Sequence, residues 1–260
     1  MRAARGAYVI WLRELLRFVR QPSQIVGMFA QPLLFLLLVG NGIRSGFTLN
    51  AARGADYLTF MFPGIAGMSV LFTSLFSAVS IVWDREFGFL KEVLVSPVPR
   101  WAIVLGKAAG GVSVAVVQGA ILLLLAPAVG VRLGVLTFLA MLGVLALVSL
   151  TLVGLGILIA SRMESMQGFQ VIMNFLVMPM FFLSGLLSVA AERGWKIPEA
   201  APTGPCQPLI DALRHIVYGS SALERALTQF PLELDLAVTA GVAAVLLGLA
   251  SWAFTTARNV

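Results

Sequence analysis

Charge is scarce in this chain, and so are most residues that carry chemistry. Of 260 residues 12% are charged, one is cysteine (Cys206) and one is histidine (His215). Soluble domains carry about 25% charged residues, so this composition argues against a water-soluble core. A lone cysteine forms no internal disulfide and leaves the redox compartment open. One histidine and one cysteine make no zinc site without several carboxylates. The phosphate-binding loop GxxxxGK[ST] is missing: Gly106-Lys107 is followed by Ala108, and Trp101 holds the first glycine position. HExxH and paired aspartates are missing too. No metal or cofactor is expected, and the chain shows no means of hydrolysing ATP.

What is present is apolar. The chain is 59% hydrophobic, and a bilayer core about 30 Å thick needs ~20 apolar residues in a helix. Six charge-free segments qualify, at 25–43, 58–82, 108–129, 133–160, 169–189 and 236–254. Gln31 and Pro32 interrupt the first, and the fourth exceeds the required length. The expected fold is an all-α polytopic membrane protein with six transmembrane helices. No acid or base lies inside these runs, whereas ion-coupled carriers ordinarily need one there. Lys107 sits at an edge, from which its long side chain can snorkel.

Six spans place both termini on one side. Eleven basic residues (Arg2, Arg5, Arg13, Arg17, Arg20, Arg85, Lys91, Arg100, Lys107, Arg162 and Arg258) then share that side, against Arg44, Arg53 and Arg132 in the short opposite loops and Arg193, Lys196, Arg214 and Arg225 in the long one, which weighs less. The positive-inside rule puts the first set in the cytoplasm. This accounts for the formal net charge of +6 without nucleic acid. Trp83, Trp101 and Trp252 fall near span ends, as an aromatic belt requires.

Charges interrupt residues 1–22 too early for a signal peptide. Tyr8, Trp11, Leu12, Leu15, Leu16 and Val19 instead make an apolar stripe with Arg13, Arg17 and Arg20 opposite, a pattern suited to a helix in the cytoplasmic interface. The long loop 190–235 is proline-rich up to Pro208; Leu209, Ile210, Leu213, Ile216 and Val217 then recur at helical spacing. That segment either lies at the outer membrane surface or covers the spans.

Residues 84–107 form the one strongly charged insert. Phe87, Leu90 and Leu94 share a helical face, with Arg85 and Glu92 opposite and Asp84 and Lys91 at the border. Pro97 and Pro99 end that helix, expected at about 84–95. It suits either the membrane surface or a soluble partner.

This stretch resembles the type-2 ATP-binding-cassette (ABC) exporter permeases. The shared wording is E-x-G-x-L-K-x-x-L-x-S-P-x-x-R followed by L-G-K, carried by Glu86, Gly88, Leu90, Lys91, Leu94, Ser96, Pro97, Arg100, Leu105, Gly106 and Lys107. FPGIAGM at 62–68, FLSGLLS at 182–188 and PLIDALRHIVYG at 208–219 extend the likeness; Gln207 departs from a frequent asparagine. The wording of the loop is most similar to the daunorubicin-resistance subfamily.

The resemblance implies an exporter of drugs or lipophilic compounds, with a separate ABC-type ATPase subunit and a second permease copy or sister permease. It also implies that Asp84, Arg85, Glu86, Gly88, Leu90, Lys91, Glu92, Pro97 and Arg100 couple the chain to that ATPase. Arg13, Arg17 and Lys107 would anchor the chain at lipid phosphates, and Arg100 and Lys107 would alternatively pair with Glu86 or Glu92. Gln31, Thr73, Ser77, Gln118 and Asn174 are uncharged polar residues in the spans, available either to line a route or to bond between helices.

Gly106/Gly110, Gly111/Ala115 and Ala115/Gly119 space small residues four apart, which favours close helix contact. Pro32, Pro127 and Pro179 are expected to kink their spans. The competing function is a non-transporting assembly protein that docks a partner at the same helix; a membrane-bound enzyme lacks a nameable nucleophile and base. With Cys206→Ser as background, Lys91→Cys should react with a membrane-impermeant maleimide only in opened cells. Labelling on intact cells would reverse the topology.

Overall fold

A computed structural model describes residues 2–43, 57–88, 98–129, 134–177 and 232–256. Eight α-helices occur among them: α1 (Arg2–Val19), α2 (Pro22–Ile43), α3 (Tyr57–Ser77), α4 (Val79–Glu86), α5 (Arg100–Leu125), α6 (Val135–Ala160), α7 (Met166–Val177) and α8 (Leu232–Thr256). No strand occurs among the described residues. Four helical stretches are long and apolar enough to cross a membrane: Ile65–Glu86, Arg100–Leu125, Val135–Ala160 and Leu236–Thr256. They cover the second, third, fourth and sixth expected spans. The first expected span falls on α2, which carries Pro32 within it, and the described part of the fifth on α7.

The outside of this bundle is as oily as its inside. Val135, Leu136, Leu139, Val245 and Trp252 are exposed, while Leu75, Ile81, Ile103, Leu145, Leu152 and Ile157 are fully buried. Helices apolar all round belong in lipid. At the centre α3 packs on α5 and α6; α8 lies against α6, and α1 runs along α5.

Helix ends depart from the expected bounds. The second span does not stop at Val82: after a turn at Ala78, α4 continues through Glu86. It closes at Gly88, whose φ of +75° is a conformation that side-chain-bearing residues rarely adopt. Asp84, Arg85 and Glu86 therefore form the last turn of a span helix, not the opening turn of a separate loop helix. Leu90, Lys91, Glu92 and Pro97 lie outside the described residues, as do residues 190–231 with Cys206 and His215; the end of the expected outer loop, 232–235, is already helical in α8.

The third span begins at Arg100 instead of residue 108, directly after Pro99 in extended conformation. Hydropathy marks where charges start, but a helix continues past charges that find partners. Pro127 does not kink this span either. It sits in a 3-10 turn, Ala126–Val129, where α5 has already ended.

The small-residue repeat on α5 serves contacts within the chain. A Cβ on Gly106 would lie 2.7 Å from the Ala7 carbonyl oxygen, and one on Gly110 would lie 2.7 Å from the Glu14 Cβ. These two glycines let the α1 backbone approach, and Trp11 Nε1 donates to Ser113 Oγ at 2.9 Å along the same seam. Gly110→Val should therefore cost about 1–3 kcal/mol through overpacking, read as a lowered melting temperature in detergent. Gly143→Ala, where nothing lies within 4 Å, should leave it unchanged.

Candidate functional site

Charge collects where α1, α4 and α5 meet. Asp84 is 7% exposed and Lys107 6%, and Lys107 Nζ donates to Asp84 Oδ2 at 2.7 Å. The same ammonium donates to Ser80 Oγ and to Glu14 Oε1, each at 3.1 Å. Arg13 donates to Asp84 Oδ2 at 2.7 Å and contacts Glu14 at 3.3 Å. Burial works against the Arg13 guanidinium, but attraction and hydrogen bonding from Asp84, then Glu14, outweigh it and hold its pKa above the ordinary value. The group stays cationic.

Helical periodicity explains how α1 reaches this site. Arg13 and Arg17 are four apart and face α4, while Tyr8, Val9, Leu12, Leu16 and Val19 face outward and are exposed. The helix turns its charged side to protein and its apolar side away. Arg17 approaches Asp84 only to 3.9 Å and lies 4.6 Å from the centre of the Trp83 ring.

Lys107 is buried instead of snorkelling, and its partners among the described residues are Asp84, Glu14 and Ser80, not Glu86; Glu92 lies outside the described residues. Asp84 in turn is no exposed docking residue. Glu14 and Ser80 escaped notice in the sequence. Glu14 carried one signal, being the lone acid in residues 1–22.

The other charges bordering the loop hold helix ends. Arg85 donates to the carbonyls of Ser161 at 3.0 Å and Met163 at 2.8 Å, just past the C-terminus of α6. Arg100 donates to the carbonyls of Phe254 and Thr255 in the last turn of α8, at 3.4 and 3.0 Å. Cations there satisfy orphan carbonyls and oppose the negative end of the helix dipole. Glu86 accepts from the Met166 amide at 3.3 Å, at the positive end of α7. Among the described residues Arg100 thus bonds to α8 and not to Glu86.

Of the polar span residues, Thr73 and Ser77 line a cavity of about 780 Å³ bounded by α1, α2, α3, α4, α5 and α7. Phe72, Phe76 and Met28 share its wall, with Glu14 and Lys107 at one end. Gln118 is 2% exposed; it accepts from Thr73 Oγ1 and donates to the Met28 carbonyl at 3.1 Å, tying α2, α3 and α5 together. Asn174 is exposed on α7, away from that cavity. The Gln31 side chain lies outside the described residues. No cluster of three or more potential metal ligands occurs among the described residues.

Apolar helices, a paired charge cluster and a cavity lined by aromatic, hydroxyl and charged side chains describe a polytopic membrane protein. Residues 6–195 match the ABC-2 type transporter family model, and the chain belongs to that family. That family is one of membrane permease subunits, which are themselves non-catalytic.

Nodulation protein J of Rhizobium leguminosarum bv. trifolii is 25% identical over 85% of this chain and 81% of its own length. The probable multidrug ABC transporter permease YbhR of Escherichia coli K12 is 27% identical over 65% of this chain and 46% of its own. The putative transport permease ycf38 of Cyanophora paradoxa is 32% identical over 39% and 35%. The chain thus spans less than half of two of these three relatives, so their likeness supports the permease class and nothing finer.

Removing one member of a buried ionic group strands the others. Asp84→Ala should destabilise the chain by about 3–5 kcal/mol. Combining it with Lys107→Met should recover a large part, since Arg13 retains Glu14. Thermal unfolding of the single and double variants measures this coupling; strictly additive losses would contradict it.

Proposed function

We propose that this chain is the membrane half of an ATP-driven exporter, working as a pair of permeases with a separate ABC-type ATPase. The loop from Phe87 to Pro99 takes up force from that ATPase. The observation that carries this proposal is the set of attachments flanking the loop. Asp84 holds α1 and α5, Arg85 and Glu86 hold the α6–α7 turn, and Arg100 holds the end of α8. A push on the loop is therefore delivered to most of the bundle at once, through directional charged contacts instead of sliding apolar ones.

Under this proposal Glu86, Gly88, Leu90, Lys91, Glu92 and Pro97 shape the ATPase contact, whereas Asp84, Arg85 and Arg100 transmit its movement inward. Gly88, at φ +75°, supplies the sharp exit from α4. Six spans place both termini and this loop in the cytoplasm, and α1 lies in the cytoplasmic interface with Tyr8, Leu12 and Leu16 toward lipid.

The cargo is a hydrophobic or amphiphilic compound of the drug or lipid kind. The cavity beside Thr73 and Ser77 supports this, with aromatic walls, hydroxyls and charge only at one end. YbhR, a relative by sequence, bears a multidrug description, which fits the same cargo class.

Co-expressed with its ATPase, the wild-type permease should co-purify with it and raise its ATP hydrolysis. Glu86→Lys with Glu92→Lys should abolish both effects while membrane insertion persists. Unchanged assembly and hydrolysis in that variant would remove the coupling role.

A further inference from the structure

On the outer side of the charged cluster lies an open groove of about 620 Å³ between α1 and the end of α4. One wall carries Arg13, Arg17 and Arg20; the other carries Trp83, Asp84 and Phe87. Asp84 is already engaged by Arg13 and Lys107 at 2.7 Å each. Arg17 reaches it only to 3.9 Å, beyond hydrogen-bond distance, and stacks on Trp83 instead. Among the described residues the Arg20 side chain has neither ion pair nor hydrogen bond. Among the described residues, Asp84 and Glu14 are the acids that pair with Arg13, Arg17 and Lys107. Arg17 and Arg20 have no hydrogen-bonded carboxylate among them, and both carry planar guanidinium groups suited to bidentate anions.

The surroundings specify the rest of the occupant. Leu16 lines the groove and is 46% exposed, and Phe87 at its mouth is 80% exposed. Val19, Leu12 and Val9 continue the apolar face along α1. A ligand here meets guanidinium groups at one end and an oily track at the other. A free inorganic anion would leave that track uncovered, and a zwitterionic lipid, whose ammonium offsets its own phosphate, would leave the charge of both arginines uncompensated.

We propose that this groove holds the headgroup of an anionic phospholipid from the adjoining leaflet. Its phosphate bridges Arg17 and Arg20, and its chains follow Leu16 and Phe87. The lipid joins α1 to the end of α4, immediately before the loop, so bilayer charge bears on how firmly those helices hold together. The assignment also redistributes the anchoring arginines: Arg13 serves the protein interior, and Arg17 with Arg20 serves the lipid.

The full-length chain, extracted from vesicles of equal phosphatidylglycerol and phosphatidylcholine, can be weighed with its retained lipids by native mass spectrometry. Wild type should retain phosphatidylglycerol over phosphatidylcholine by roughly tenfold or more, given two arginines at an anionic surface. Arg17→Gln with Arg20→Gln should erase the preference. Arg20→Gln alone, outside the buried cluster and safe for folding, should reduce it several-fold. Excess inorganic phosphate should not displace the lipid. Equal retention of both lipids by wild type, an undiminished preference in the double variant, or displacement by inorganic phosphate would each overturn the assignment.

Discussion

A carboxylate buried beside an ammonium at the end of an apolar bundle sets the terms for everything around it. Moving either ion alone out of water costs several kcal/mol, and the loss is recovered only in close, hydrogen-bonded geometry. Asp84 and Lys107 meet that condition at 2.7 Å, with Arg13, Glu14 and Ser80 completing their coordination. Apolar packing between membrane helices is poorly directional, because lipid tails are as apolar as leucine. A charged pair is directional. It allows one register for α4 against α5, and it draws α1 onto both with its arginines inward.

The glycines of α5 complete this arrangement sterically. Gly106 and Gly110 bring the α1 backbone close enough for Glu14 to reach Lys107. Charge pulls the helix in, and missing side chains let it come. Arg85 and Arg100 extend the same logic to the C-terminal ends of α6 and α8, where hydrogen bonds to charged donors contribute about 1.5–3 kcal/mol each when well formed. The helices bordering the loop are thus fastened by charge at their ends and by shape along their lengths.

Much of this fold was legible from hydropathy, because a run of 20 residues without charge has few homes besides a bilayer. The segment at 133–160 corresponds to α6 within two residues, since Arg132 and Arg162 bracket it with charges that stay outside. Boundaries failed where charges pair. Asp84 to Glu86 read as the start of a separate helix, and Arg100 to Lys107 as lying before the third span, because charges mark both stretches, yet partnered charges let the span helices run through them. Those partners are distant: Lys107 bonds residues 93 and 23 positions away, and no local pattern encodes such a meeting. The repeat on α5 announced close packing but not its partner, because α1 is amphipathic and its stripe pointed toward lipid, not toward protein.

The cluster also separates two concavities that share walls. Arg17, Gln21 and Trp83 border both the outer groove and the inner cavity beside Thr73 and Ser77. Both therefore depend on where α1 lies against α4. A displacement of α1 changes the two volumes together, and Asp84, the residue that fixes α1, stands three positions before Phe87 and the loop. Whatever pulls on that loop acts first on the last turn of α4, where the ionic contacts are shortest. The chain thus places its shortest ionic contacts between the last turn of α4 and the hollow beside Thr73 and Ser77, which is the order a mechanical linkage requires.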